Sequence, residues 1–194
     1  MRLLLPLLFI LSLGTSYSQT KHLTVESNHS TVLFEVPIAG GMTKVIGKFN
    51  SFDLQLALVD NDLTKSEAIF TIDVSSIDTG IPDRDEHLKT SDFFHVDSFP
   101  SITFTTEQIV KTNEGYMAKG VFEMHGVRKQ MDLPLIATGE DGNTLGFEIE
   151  TKINRIDFGV GKDFKHSAID NFLSDHINVR IYFWTKRDKR FDDN

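Results

Sequence analysis

The chain is 194 residues long, with 20 Lys+Arg against 28 Asp+Glu and no cysteine. A formal charge of −8 without a basic block argues against nucleic acid and anionic lipid surfaces as partners, since both are held through clusters of Lys and Arg. The missing thiol excludes disulfides, cysteine nucleophiles, iron–sulfur ligation and a lipidated N-terminal cysteine.

Residues 1–18 read as a removable export signal. Arg2 is a short positive n-region, Leu3 to Leu13 an apolar h-region, and Ser16-Tyr17-Ser18 ahead of Gln19 a small-x-small cut site. Its removal takes Lys+Arg from 20 to 19 against 28 Asp+Glu, a net of −9, and leaves a length that suits one domain with a real core. No second apolar run approaches the roughly 18 residues that span a bilayer, so the mature chain is expected to lack stable membrane insertion. Export without disulfides suggests a bacterial periplasmic or secreted protein.

Alternation of apolar and polar residues then recurs along the chain. Val32, Phe34, Val36 and Ile38 share one strand face, and Phe52, Leu54, Leu56 and Leu58 the next. The pattern returns in Ala68 to Val74, Ile102 to Thr106, Tyr116 to Met124 and Met131 to Ala137, and again in Leu145 to Ile153 and Ile177 to Phe183. Each of these eight runs is a half-buried strand signature. Asp60-Asn61-Asp62, Asn113-Glu114-Gly115, His125-Gly126 and 139–143 (GEDGN) supply turn residues between them, so successive strands are expected to pair antiparallel. Eight such strands in one domain need a sandwich or a closed barrel to hide their edges.

Two segments break the period. Pro82 followed by the acidic start of 83–94 (DRDEHLKTSDFF) predicts a short helix in the crossover from 75 to 100. Residues 159–172 (GVGKDFKHSAIDNF) read as a loop or brief helix, and the polar tail 186–194 is expected to fray.

Phenylalanine is over-used, with 16 against 3 Tyr and 1 Trp. Phe carries apolar area without a polar atom that needs a partner, which suits either a packed barrel core or the lining of a cavity for a long apolar ligand. Both readings stay open at this point. The seven histidines show no HExxH spacing, so no metal is expected. Asp175-His176 has the composition of an acid–base pair, but no GxSxG nucleophile accompanies it. Arg84, Asp85 and His87 sit beside Leu88, Phe93 and Phe94; the simplest expectation is that Arg84 pins the helix to the barrel through a carboxylate such as Asp157, and gating of a cavity mouth is the alternative. Arg155 and Asp157 suggest a buried or rim ion pair.

Several ordered motifs resemble the YceI-like family of bacterial periplasmic polyisoprenoid-binding proteins. They are His29-Ser30 with Gly47-Lys48-Phe49, then Ile77-Asp78-Thr79 with Arg84 to Leu88 and Ser91 to Phe94. Phe99 to Phe104, Gly120-x-Phe122 with His125 to Lys129, and Arg155 to Gly159 follow. Together they cover roughly residues 22–184. Departures at Thr24-Val25-Glu26, at Arg128 and in the Lys162 to His166 loop touch the mouth rather than the barrel.

The resemblance implies an all-β fold: an eight-stranded antiparallel, lipocalin-like β-barrel over 19–185 with a short crossover helix, and an apolar tunnel for an isoprenoid chain of the polyprenyl or quinone type. No cofactor is required and no enzymatic activity is expected. The expected lining is Phe34, Phe49, Phe70, Phe104, Phe122, Phe147, Ile149 and Phe183, with Arg84, Asp85, His87, Phe93, Phe94, Arg155 and Asp157 at the mouth. The alternative is an envelope interaction module whose barrel is simply packed. A homodimer is compatible with outward apolar residues such as Ile69 and Tyr182.

Overall fold

A computed structural model describes residues 18–142 and 144–191. The expected export signal therefore lies, apart from Ser18, outside the described residues. Eleven strand segments form the wall: β1 (Thr20–Val25), β2 (Thr31–Ile38), β3 (Thr43–Phe49), β4 (Phe52–Val59), β5 (Asp62–Asp73), β6 (Ile77–Asp78), β7 (Ser101–Thr112), β8 (Gly115–Met124), β9 (Val127–Asp141), β10 (Thr144–Asn154) and β11 (His176–Arg187). The helix α1 (Pro82–Lys89) carries Pro82 in its first turn, Asp83 and Asp85 near its N-terminus and Lys89 in its last turn, as its dipole favours.

These segments make eight staves. β1 and β2 form one stave, β3 and β4 the next, and β5 and β6 the third: β1 pairs with β4 and β2 with β3, while β4 pairs with β5 and β3 with β6. β7 to β11 follow as an antiparallel meander, and β11 closes the barrel on β1 at Thr185–Arg187 and on β2 at Asn178–Tyr182. The barrel is thus the closed eight-stranded antiparallel form, with no strand left without a neighbour around the ring.

The eight alternating runs correspond to these staves, but β1, β3 and β6 were not among them. The reason is that three neighbouring staves bend, and the bends are made of polar residues. Ser30 donates to Glu26 O and accepts from Trp184 N. Asn50 N donates to Ser76 O and Ser51 N to Ser76 Oγ, while Asp73 caps the next turn by accepting from Ser75 N. The bends of the second and third staves are therefore bonded to each other.

Hairpin turns fall at the expected punctuation. Asp60-Asn61 and His125-Gly126 are two-residue turns whose residues all have positive φ, the conformation that matches the twist of the flanking strands. The C-terminal tail departs from expectation. β11 runs through Arg187, Asp188 is buried, Arg190 bonds both Asp188 and Asp53, and Phe191 stacks on His22 at 4.1 Å. Those side-chain partners hold residues 186–191 in place, and 192–194 lie outside the described residues.

Candidate functional site

The barrel interior is divided in two along its axis. Towards the β4–β5 and β7–β8 hairpins it is filled by Leu23, Leu54, Leu56, Leu58, Ile109, Ala118 and Leu135, all buried. Towards the opposite end, framed by the β2–β3 turn, α1 and the 159–175 loop, it is hollow. The cavity there has a volume of about 350 Å³, within the range of small-molecule sites.

Its wall is apolar. β2 contributes Val32, Phe34, Val36 and Ile38, and β3 contributes Val45 and Phe49. Phe70 and Ile72 come from β5, Phe104 from β7, Phe122 from β8 and Ile149 from β10. Six of the eight residues expected in the lining, Phe34, Phe49, Phe70, Phe104, Phe122 and Ile149, are therefore on this surface. Phe147 and Phe183 are register partners one inward step beyond the lining, buried, and Phe183 packs edge-on against Phe70 at 4.8 Å. They belong to the filled half.

Gly47 shapes the wall. It faces Phe34 across the β2–β3 ladder, and a Cβ there would sit 2.2 Å from Phe34 Cζ. The Cζ end of the Phe34 ring occupies the space that a side chain at this position would need. Phe34 then continues to Phe49 at 5.5 Å and Phe49 to Phe94 at 6.2 Å, which carries the aromatic surface from the wall to the mouth.

The mouth is built from α1 and the 159–175 loop. Arg84, His87, Leu88, Phe93 and Phe94 line the cavity, and so do Val160, Phe164, Phe172 and Leu173 from the loop. Phe93, Phe164 and His87 form one cluster, with ring centroids 5.1 to 6.1 Å apart. The sequence placed the Lys162 to His166 loop at the mouth but none of its residues among those lining the cavity; the signal for them is the apolar set Phe164, Phe172 and Leu173.

Two expected ion pairs are corrected. Arg84 does not reach Asp157: its Nε donates to Thr79 Oγ1 at 2.7 Å and its Nη2 to Thr79 O at 2.8 Å. Asp85 completes this clasp by accepting from Thr79 N and Thr79 Oγ1, so it holds the entry to α1 and does not line the cavity. The helix is thereby pinned to its own flank. Arg155 does not pair with Asp157 either, because Asp157 points out to Lys129 at 3.1 Å.

Arg155 instead is the nail of the 159–175 loop. Only 7% exposed, it donates from Nη1 to Val160 O and Gly161 O, from Nε to Ser174 O and from Nη2 to Asp175 Oδ1. Burial pushes its guanidinium below the usual value, and the Asp175 carboxylate opposes that shift. Gly161 makes the arrangement fit: it has φ +60°, and a Cβ there would lie 2.6 Å from the Phe93 ring and 3.1 Å from Arg155 Nη1.

The histidines are dispersed. His87 Nε2 meets Asp92 at 3.0 Å, His125 Nδ1 donates to Phe158 O, and His22, His95 and His166 pack on Phe rings. His176 does not combine with Asp175, which faces Arg155. Among the described residues no group of three or more His, Asp or Glu is placed to hold a metal, and no helix is long and apolar enough to cross a membrane. The outward residues Ile69 and Tyr182 are 43% and 39% exposed.

Comparison with known proteins agrees with this architecture. The model of the YceI-like domain matches residues 23–184. A UPF0312 protein of Serratia proteamaculans is 29% identical over 166 residues, covering 83% of this chain and 86% of that protein. Protein YceI of Escherichia coli is 30% identical over 157 residues, 78% of this chain and 82% of its own length. Among solved structures, Burkholderia cenocepacia BcnA superposes with a TM-score of 0.71 at 21% identity, over 84% of this chain and 99% of BcnA. A polyisoprenoid binding domain from Saccharophagus degradans, implicated in plant cell wall breakdown, gives 0.70 at 14% identity, over 87% and 99%. With its model matched from the first stave to the last, this chain belongs to the YceI-like domain family.

Proposed function

We propose that the hollow half of the barrel binds the long apolar chain of an isoprenoid lipid, of polyprenyl or quinone type, and that the protein is an exported periplasmic carrier of that lipid. The observation that carries this reading is the cavity itself: about 350 Å³ of apolar space beside a half of the same barrel occupied by buried leucine, isoleucine and alanine side chains. An apolar chain entering it gains about 0.8 kcal/mol per buried methylene before ordering costs. Membership in the YceI-like domain family supports the reading, as does the fold shared with a domain described as polyisoprenoid-binding. Phe34, Phe49, Phe70, Phe104, Phe122 and Ile149 contact the chain, with Phe147 and Phe183 beneath it. Arg84, His87, Phe93, Phe94 and Arg155 surround its exit, while Asp85 and Asp157 act only through the clasp and the surface pair described above.

The test is native mass spectrometry of gently purified mature protein, followed by organic extraction. A stoichiometric adduct with the mass of a polyprenyl or quinone species is expected. A clean apo mass that persists after incubation with such lipids would overturn the reading in favour of an interaction module with no ligand.

A further inference from the structure

At the end of the barrel away from the cavity, β1 closes the ring between β4 and β11. Its first residues are tied down at the place where the sequence puts the cut site. Asp60 N, in the β4–β5 turn, donates to Gln19 O at 2.8 Å, and Gln19 N donates to Asp60 Oδ1 at 3.1 Å. Thr20 follows and begins the ladder opposite Val59. A chain terminus frays unless something holds it, so this corner sets how firmly the closing segment stays in register.

The Asp60 carboxylate divides its oxygens between two sides. Oδ1 faces Gln19 N and, at 3.4 Å, Ser18 Oγ, while Oδ2 faces Lys65 Nζ at 3.3 Å. The Gln19 N–H first, and the Lys65 ammonium second, hold this carboxyl below the usual carboxylate value. In the uncleaved chain the Gln19 nitrogen is a neutral amide. Cleavage after Ser18 takes the serine hydroxyl away from Oδ1 and turns that same nitrogen into an α-ammonium. Each oxygen of Asp60 then holds one cation, and the bond from Gln19 becomes charge-assisted.

We propose that removal of the export signal creates an ion pair between the Gln19 α-ammonium and Asp60, which fastens β1 to the β4–β5 turn and keeps the new N-terminal glutamine from cyclising. The inference rests on the export reading above and is independent of the lipid. An N-terminal glutamine cyclises when its neutral α-amine attacks its own side-chain Cδ: the N–Cδ bond forms, the bond from Cδ to the amide nitrogen breaks, and ammonia leaves with the proton that the amine gives up. A carboxylate beside the amine favours the protonated form, which has no lone pair for that attack. Asp60 N, bonded to Gln19 O, holds the residue extended along β4 at the same time.

The test expresses the full 194-residue chain with its own leader in a bacterial host, isolates the processed protein and follows loss of ammonia from Gln19 by peptide mass mapping at about pH 8. The wild-type chain is expected to begin with an uncyclised Gln19. Asp60→Asn is expected to cyclise about 3-fold or more faster, the size of effect that an exposed ion pair gives. Asn is isosteric with Asp and tolerates the left-handed backbone of this turn, where φ is +53°, so the hairpin is kept. Lys65→Gln removes the other cation and should cyclise no faster than wild type, and in urea all three chains should cyclise at one rate. Equal rates for wild type and Asp60→Asn in the folded state overturn the proposal, as does a wild-type chain isolated already cyclised. Equal acceleration by Lys65→Gln, or a difference that persists in urea, overturns it in favour of a local effect of sequence. A processed chain that begins at another residue overturns the pair and leaves export and lipid binding standing, whereas a chain that keeps its leader overturns the export reading itself.

Discussion

Replacing Arg155 with Leu removes every polar tie between the barrel and the 159–175 loop that this side chain makes, and its cost can be worked from the geometry. Nη1 gives hydrogen bonds of 2.9 Å to Val160 O and 2.7 Å to Gly161 O in a buried setting, and Nε gives one of 2.9 Å to Ser174 O. Hydrogen bonds from a charged donor contribute about 1.5–3 kcal/mol each, and buried carbonyls stripped of their donor lose their solvation as well. The Asp175 contact adds less than about 1 kcal/mol, because that carboxylate is 57% exposed. Against these stands the relief of a buried guanidinium, so the net loss is expected at about 3–5 kcal/mol. For a domain of this size that lowers the melting temperature by about 6–20 °C. Urea denaturation should show the shift in midpoint at nearly constant slope, and amide exchange should quicken first between residues 156 and 175. Arg155→Lys should recover less than half of the loss, since one ammonium cannot span three carbonyls. A loss below about 1 kcal/mol, with exchange in the loop unchanged, would refute the reasoning and assign the loop's order to Phe164, Phe172 and Leu173 instead.

Gly47→Ala is expected to push the Phe34 ring into the lumen at a cost of about 1–3 kcal/mol and to lower uptake of an apolar fluorescent probe; unchanged uptake would count against the wall geometry. Phe104→Trp with Phe122→Trp should narrow the cavity with little loss of stability, and full lipid occupancy in that double variant would remove both residues from the site. Asp188 is held below its usual carboxylate value of 3.8 by its hydrogen bonds with Arg190. A carboxylate whose folded value is depressed gives stability that is complete above the unfolded value and is lost as pH falls through the folded one. Denaturation midpoints should therefore drop below about pH 4, and less steeply in Asp188→Asn, where an equal acid dependence would show that this pair contributes nothing to it.

The eight staves were legible in the sequence because alternation survives wherever one face of a strand is buried, whatever the strand's neighbours do. The bends were not. Glu26 to Ser30, Asn50-Ser51 and Asp73 to Ser76 look like ordinary polar loops, and only their mutual hydrogen bonds reveal that the stave continues on the far side. Which half of the lumen is hollow was equally hidden. Phe147 and Phe104 occupy the same kind of inward position, and alternation reports which way a side chain points, not whether the opposing side chains meet it. The partners of Arg84 and Arg155 escaped for a simpler reason: most of them are backbone carbonyls, which leave no mark in a sequence, so a search for carboxylates led to Asp157.

The division of the barrel has an energetic logic. Apolar space left unfilled inside a core costs stability, because the side chains that line it forgo the contacts packing would give them. One end of the chain therefore has to be packed densely enough to stand alone, and the leucine- and isoleucine-rich half between the β4–β5 and β7–β8 hairpins meets that need. The other end keeps its space through glycines at the points of closest approach, Gly47 under Phe34 and Gly161 under Phe93, where any side chain would shift an aromatic ring. A core under selection for stability alone would gain by filling that space. The presence of that space, walled by phenylalanine, is what the proposed lipid-binding function accounts for and a simply packed barrel does not.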